Sequence, residues 1–256
     1  MELDVMDCAA ALEWDYSELA RHYRQRAPYS EEGLRELFAA LRLPPQSHGV
    51  DMGAGTGRLT ASLVAQGLEV TAIEPNAAMR AIGSAEVPQA RWLAARAQAT
   101  GLPARCARLV TFGSSFNVVP ADAALHESAR LLQTDGWLVC LWNHRDLDDP
   151  EQARLQAVID EHVPGYAHGS RRDDPTPVLA GDGRFDEVVH LQGTLLHELP
   201  CADFVHGFRA HATLVRQAGA ALPRVLDALT TALHGRRTIA VPFVTRIYAA
   251  RRNARP

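Results

Sequence analysis

Between Val50 and Thr60 the chain reads VDMGAGTGRLT, with glycines at alternate positions 53, 55 and 57 set between a short apolar run and a helical one. Glycine accepts positive φ and carries no Cβ. A loop with this spacing therefore turns tightly at the carboxyl end of a strand and lets a ligand lie against bare backbone beside a helix N-terminus. The flanking segments agree: a short strand runs into Asp51, a helix passes through Leu59 and Leu63 to Gly67, and the β-branched run LEVTAIEP follows. That is a βαβ unit.

The alternation continues. Strands are expected at Ala90–Ala95, Ala107–Ser114 and Gly136–Asn143, the last two separated by the helix ADAALHESARLLQ, and this order predicts an α/β fold with a doubly wound, mostly parallel sheet. Ahead of the glycine loop, Leu34, Leu37, Phe38 and Leu41 share one face of a helix over Ser30–Arg42 that Pro44-Pro45 stops, and the amphipathic segment WDYSELARHYRQRAPYS precedes it. Asp149 and Pro150 form a cap and first position for a helix to about His162. A long strand over Phe185–Leu199, helices over 202–217 and 222–234, and the strand TIAVPFVTRIYAA complete the chain.

Composition narrows the function. With 256 residues, 47% hydrophobic and 22% charged, the chain is expected to be a soluble globular protein with one core-burying domain. A net charge of −4 gives no global reason to bind nucleic acid or a membrane surface. No apolar run reaches the ~18 residues of a membrane span, and the acidic start MELDVMD lacks the basic region of a secretory signal, so a cytoplasmic location is expected. All 26 basic residues are arginine, which excludes a Walker lysine and a Schiff-base lysine and fits the coding bias of a GC-rich bacterial genome. Cys8, Cys106, Cys140 and Cys201 are far apart and read as packed thiols; no metal site is expected.

A dinucleotide fingerprint G-x-G-x-x-G requires glycine at position 58, where this chain has Arg58. Asp51-Met52-Gly53-Ala54-Gly55-Thr56-Gly57 instead resembles the D/E-x-G-x-G-x-G signature of the class I S-adenosylmethionine (SAM)-dependent methyltransferases, in particular the small-molecule branch similar to the ubiquinone-biosynthesis and trans-aconitate enzymes. IEPNAAM, ARAQATGLP, LVTFGSSFNVV and ARLLQTDGWLVCLWN are similar to the later motifs in order and spacing. The resemblance implies a Rossmann-like, seven-stranded sheet with an antiparallel last strand and a helical cap. It divides the single domain into an N-terminal lid (1–44), a SAM-binding core (45–148), a cap with the sixth strand (149–235) and the last strand (236–256).

It also implies that SAM is held by Asp51, Gly53, Ala54, Gly55, Gly57, Glu74, Pro75, Met79, Arg96, Ala97, Gly113 and Ser114, and released as S-adenosylhomocysteine (SAH). Glu74 ends the second strand, where a carboxylate accepts both ribose hydroxyls. Arg96 stands where the branch carries an Asp for the adenine amino group. Arginine has only donors, so Met79, Leu102 and the Ala97 backbone are left to hold the ring. The acceptor is expected to be a small molecule bound by Tyr16, Tyr23, Tyr29, Phe116, Asn143 and Arg145, with Trp14 and the N-terminal tyrosines serving as a lid or as ordinary packing. The protein is expected to be a monomer or homodimer.

Two histidines are candidates for proton removal: His144, following the fifth strand, and His211, in helical register with Phe204, Phe208 and Val215. Each also has a plain structural reading. SRRDD at Ser170–Asp174 reads as a solvated loop, with an anion clamp as its alternative. Two competing classes stay open: a nicotinamide oxidoreductase, which Arg58 disfavours, and a SAM-binding protein that does not transfer methyl or diverts the sulfonium to elimination or cyclisation.

Overall fold

The computed structural model describes residues 26–253, the side chain of Glu187 excepted. Cys8, Trp14, Tyr16 and Tyr23 lie outside the described residues. The first element is helix α1 (Glu31–Leu41), opened by Ser30, whose Oγ accepts from the Gly33 N–H, and burying Leu34, Leu37 and Leu41. Then come β1 (His48–Met52), α2 (Arg58–Ala65), β2 (Glu69–Ile73), α3 (Ala77–Glu86), β3 (Arg91–Leu93), β4 (Ala107–Gly113), α4 (Ala121–Leu131) and β5 (Leu132–Arg145). The second half contains α5 (Pro150–His162), α6 (Thr176–Gly181), β6 (Phe185–Pro200), α7 (Cys201–Gly207), α8 (Ala212–Ala218), α9 (Leu222–Ala232) and β7 (Thr238–Arg252).

The sheet order is β3-β2-β1-β4-β5-β7-β6. Strands β1 to β5 pair in parallel, and β7 lies antiparallel between β5 and β6, as the resemblance implies for the last strand. Successive residues of the central strands feed opposite faces: Leu138 and Cys140 join one apolar layer, Val139 and Leu141 the other. Burial on both faces is why these strands read as continuous apolar runs.

The outer hairpin is longer than its neighbour. β7 pairs with β5 only from Phe243 onward, yet its pairing with β6 continues to Thr238 and Pro200. The overhang supplies Ile239 and Val241 to a separate apolar cluster with Leu155 and Ile159 of α5, Phe204 of α7, Leu214 of α8 and Leu226 and Leu229 of α9. These helices lie beside the carboxyl edge of the parallel strands. No helix among the described residues is long and apolar enough to cross a membrane.

Three local expectations differ. The helix over 202–217 breaks, because Phe208–Ala210 tighten into a 3₁₀ turn and His211 then caps a new helix. β5 begins at Leu132 rather than Gly136 and runs through Arg145, so His144 is part of the strand. Helices α3 and α6 stand outside the expected set; α3 is capped by Asn76, whose Oδ1 accepts from the Met79 N–H at 3.0 Å.

α1 approaches the sheet closely because glycine meets glycine. A Cβ built on Gly193 stands 2.4 Å from Ser30 Oγ and 2.6 Å from the Gly33 nitrogen. Gly193→Ala is therefore expected to lower stability by about 1–3 kcal/mol through overpacking. Gly181→Ala, whose Cβ meets nothing within 4 Å, should stay within about 0.5 kcal/mol of the parent. Urea unfolding of both variants checks the pair, and equal stabilities would contradict the close approach.

Candidate active site

In an open parallel sheet, ligands bind outside the carboxyl ends of the strands where the strand order reverses. Here that point lies between β1 and β4, which are hydrogen-bonded neighbours although β2 and β3 intervene in sequence. One cavity of about 650 Å³ opens there, lined by residues that follow β1, β2, β3 and β4, by the end of β5 and by the cap. Its volume is that of a small-molecule site.

The glycine loop is built from below. Asp51 is 1% exposed and its carboxylate accepts from Thr60 Oγ1 of α2 at 2.7 Å and Thr111 Oγ1 of β4 at 2.9 Å. Burial, opposed by these hydroxyls and assisted by Glu74, pushes its pKa up to about 6. Above it the Ala54 N–H donates to the Ile73 carbonyl at 3.0 Å, and the Gly55 N–H to Glu74 Oε2 at 2.8 Å, so the loop is tied to the end of β2.

The glycines differ in task. At Gly53 (φ +65°) a Cβ would stand 2.8 Å from that of Ser115, whereas at Gly55 (φ +59°) it would meet no protein atom within 4 Å and would project into open space. Gly57 does not line the cavity; its missing side chain makes room for Val87 and Trp92.

Glu74 is 7% exposed and its Oε1 accepts from the Asn76 N–H at 2.8 Å. Burial raises its pKa, against the pull of these backbone donors and Arg80. Each carboxylate oxygen keeps a lone-pair site beyond the bond it makes to the loop or to Asn76. Pro75, Met79, Arg96, Ala97 and Gln98 continue this wall. Leu102 does not; it packs in the core.

On the other side, Gly113 and Ser114 meet Tyr29. The Tyr29 hydroxyl is 3.4 Å from Ser114 Oγ, and a Cβ on Gly113 would come within 2.9 Å of it. Ser114 holds φ at +60°, a backbone state uncommon outside glycine and one that gathers at functional turns. Burial raises the pKa of Tyr29, which therefore stays protonated at neutral pH. Asn143 also borders the cavity, but its amide is committed: Nδ2 donates to the Ala27 and Pro28 carbonyls and Oδ1 accepts from Thr245 Oγ1. It fastens the chain before α1 to the sheet.

The far end belongs to β5 and the cap. His144 is 8% exposed, lines the cavity, and neither ring nitrogen hydrogen-bonds to a described residue. Burial, then the positive charges of Arg172, Arg171 and Arg246, bring its pKa down to about 3. Arg145 lies over the Phe208 ring at 5.2 Å and donates to Gln152 Oε1 at 3.2 Å and Gln156 Oε1 at 2.7 Å. His211 also lines the cavity, but its Nδ1 accepts from the Leu214 N–H at 3.2 Å. In the neutral ring the proton then sits on Nε2, which can donate to a ligand but not accept from one. Burial holds the pKa of His211 well below the usual histidine value.

Of the sequence-predicted residues, Asp51, Gly53, Ala54, Gly55, Glu74, Pro75, Met79, Arg96, Ala97, Gly113, Ser114, Tyr29, Asn143, His144, Arg145 and His211 all line this one cavity. Phe116 does not; its ring packs edge-on against Phe112 at 5.3 Å in the core. Tyr16 and Tyr23 lie outside the described residues. Gln98, Tyr166, His168, Arg171 and Arg172 were not expected in it. SRRDD is the instructive one: Arg171 and Arg172 are half-buried at the cavity while Asp173 and Asp174 are exposed. Its adjacent, opposite charges hide that division from a reading of composition.

Comparison with known proteins agrees with this geometry. Residues 50–140 match the model of the methyltransferase domain family. Over this stretch the chain is similar to the class I SAM-dependent methyltransferases. An uncharacterized methyltransferase of Mycobacterium tuberculosis is 34% identical over 131 residues, 51% of this chain and 52% of that protein. The match thus spans about half the length of the curated relatives. One from Schizosaccharomyces pombe is 30% identical over 113 residues, covering 44% of this chain and 45% of its own. A structure from Anaeromyxobacter dehalogenans, described as a candidate type II methyltransferase, superposes with a TM-score of 0.59 at 20% identity over 88% of this chain and 98% of its own, which is a likeness of fold.

SAM is the cofactor of this methyltransferase family, and the residues fit it: the open side of Gly55 is a cradle that a side chain would fill, and Glu74 lies beside it with acceptor sites to spare. At the other end, His144 couples the site to stability. The folded ring stays neutral down to about pH 3, whereas in the unfolded chain it gains a proton below about pH 6.5. Stability from this group is therefore full above pH 6.5 and lost as pH falls toward 3. Between pH 6 and 4 the parent is expected to lose up to about 1.4 kcal/mol per pH unit more than His144→Gln. Parallel urea titrations across that range test this; identical pH slopes would show a ring that titrates normally.

Proposed function

We propose that the chain is a SAM-dependent methyltransferase that moves the methyl group to an oxygen, nitrogen or carbon nucleophile of a small-molecule acceptor, in bacterial specialised metabolism. The observation that carries this reading is the continuity of one cavity from the glycine loop and Glu74 to the unbonded imidazole of His144. Gly53 to Gly55 offer bare backbone to the cofactor, Glu74 accepts from the ribose hydroxyls, and Met79 and Ala97 pack against the adenine. The Gln98 side chain, half-buried in the same wall, supplies the acceptor oxygen that Arg96 lacks. When bound, SAM supplies a methyl group already activated by the sulfonium charge. A cytoplasmic monomer or homodimer is proposed on composition.

The work left to the protein is positioning and proton removal. His144 takes the proton from the acceptor's nucleophile, because it is a buried cavity imidazole at the end of β5 with both nitrogens uncommitted. Neutral by virtue of its burial and the nearby arginines, it is ready as a base throughout the physiological range. His211 donates from Nε2 and orients the acceptor, and Tyr29 with Ser114 closes the path between the two halves.

Two measurements test the reading. Calorimetry should show SAH binding to the parent with an accompanying rise in melting temperature. Gly55→Val, which places a branched side chain in the cradle at positive φ, should fold and lose that binding. With an acceptor found from a panel assayed with labelled SAM, His144→Gln should keep SAH affinity and lower turnover about 10²-fold. The parent's kcat/KM should be flat from pH 6 to 8, because the free enzyme's base is already neutral there. A histidine-like rise across that range, or an unchanged rate in His144→Gln, would remove His144 from the mechanism, and release of a cleaved SAM product without any acceptor would replace methyl transfer altogether.

A further inference from the structure

We infer that the acceptor carries a carboxylate or phosphate group, and that this oxyanion is bound between the guanidinium groups of Arg145 and Arg172. The inference rests on the methyl-transfer reading and deepens it by naming the class of acceptor. Its ground is the charge arrangement of the cavity. The acids that line it, Asp51 and Glu74, both belong to the glycine-loop end and are engaged there with Thr60, Thr111 and backbone N–H groups. Around His144 the described lining contains arginines, histidines, Tyr166 and apolar side chains, and no carboxylate.

Several arginines elsewhere in the protein pair with acids, Arg130 with Glu127, Arg184 with Asp182, Arg236 with Glu151 and Arg251 with Asp135, whereas Arg80 and Arg252 bond to backbone carbonyls. Arg145 and Arg172 pair with no acid among the described residues. Arg145 is held by the neutral amides of Gln152 and Gln156, and Gln156 in turn donates to Asp160 at 2.9 Å, so that carboxylate stays one amide away from the guanidinium. Arg172 donates from Nη2 to the Arg145 carbonyl at 3.0 Å. Asp146 and Asp160 are felt across the site without pairing to either one, while Arg246 adds further positive charge.

Two partly buried guanidinium groups that feel each other's charge, each hydrogen-bonded only to neutral oxygens, are costly until a negative charge arrives. A planar carboxylate or a phosphate matches their donor forks. The segment bearing Arg172 is also anchored: Gln217 of α8 donates to the Ala167 carbonyl at 2.7 Å and accepts from its N–H at 2.9 Å. An oxyanion seated there lies in the same end of the cavity as His144, which puts the nucleophile on the same small molecule as the anionic group.

The test is calorimetric titration of the full chain, saturated with SAH at low ionic strength, using inorganic phosphate, malonate and uncharged malonamide. At least one anion should bind and malonamide should not, and the tighter of phosphate and malonate assigns the group. Arg172→Gln should weaken anion binding about tenfold or more, the loss expected for a charge-assisted hydrogen bond, while changing SAH affinity by less than about twofold. Arg172→Lys should recover part of the loss. Arg145→Gln, checked for folding by its melting curve, should weaken anion binding similarly. Failure of both anions to bind, equal binding by malonamide, or parent-like affinity in both glutamine variants would overturn the inference. If SAH itself does not bind, the methyl-transfer reading falls, and the same titrations on the protein without SAH still decide whether the oxyanion site exists.

Discussion

The buried carboxylate of Asp51 is the interaction on which the site depends. It sits under the turn from β1 into α2 and is gripped from two directions, by Thr60 at the start of the helix and Thr111 on the neighbouring strand β4. These bonds fix the three elements that meet where the strand order reverses. With the floor held, the glycine loop above it can be spent on ligand contact: Ala54 and Gly55 bond sideways to the end of β2, and the open face of Gly55 is left to the cavity. A carboxyl group whose ionisation is pushed up to about 6 by burial is a costly staple. Its two hydroxyl partners sustain it, because the helix and strand that carry them are already in place.

The acids that line the cavity are confined to one end of it. One end carries two acids tied to hydroxyl and amide donors; the other carries guanidinium groups set among amides, imidazoles and aromatic rings. The division has a chemical consequence for His144. An imidazole surrounded by positive charge and sheltered from water is neutral without needing a carboxylate partner, so it is available as a base but weakly basic. A bound anion beside it would strengthen that basicity, which ties acceptor binding to proton removal.

The cap makes this second end possible. β6 and β7 run past β5, and the helices inserted between them pack against the overhang instead of the sheet proper. The loop between α5 and α6, held to α8 through Gln217, then brings Tyr166, His168 and the two arginines over the strand ends. A break between α7 and α8 puts His211 at a helix start, where its Nδ1 caps the backbone and its tautomer is set.

The features of the protein legible in its sequence are those with local causes. The glycine loop, Asp51 and Glu74 stand in a short βαβ unit whose period, turn residues and strand end are all encoded within a few dozen positions, and α1 and α5 announce themselves through Ser30 and Asp149 caps and apolar spacing. What the tertiary structure alone decided is which side chains from distant segments share a space. Phe116 and Gly57 look from the sequence like ligand contacts and are packing positions: Phe116 turns back onto Phe112 of the preceding strand in the core, and Trp92 of β3 fills the space beside Gly57. The run SRRDD has the composition of a solvated loop, yet its arginines face inward and its aspartates outward, and Asn143 is consumed by carbonyls more than a hundred positions away. Hydrophobic period and turn chemistry act over neighbouring residues and can be read along the chain. Burial, charge pairing and hydrogen-bond commitment are sums over everything nearby in space, and only the folded arrangement says what is nearby.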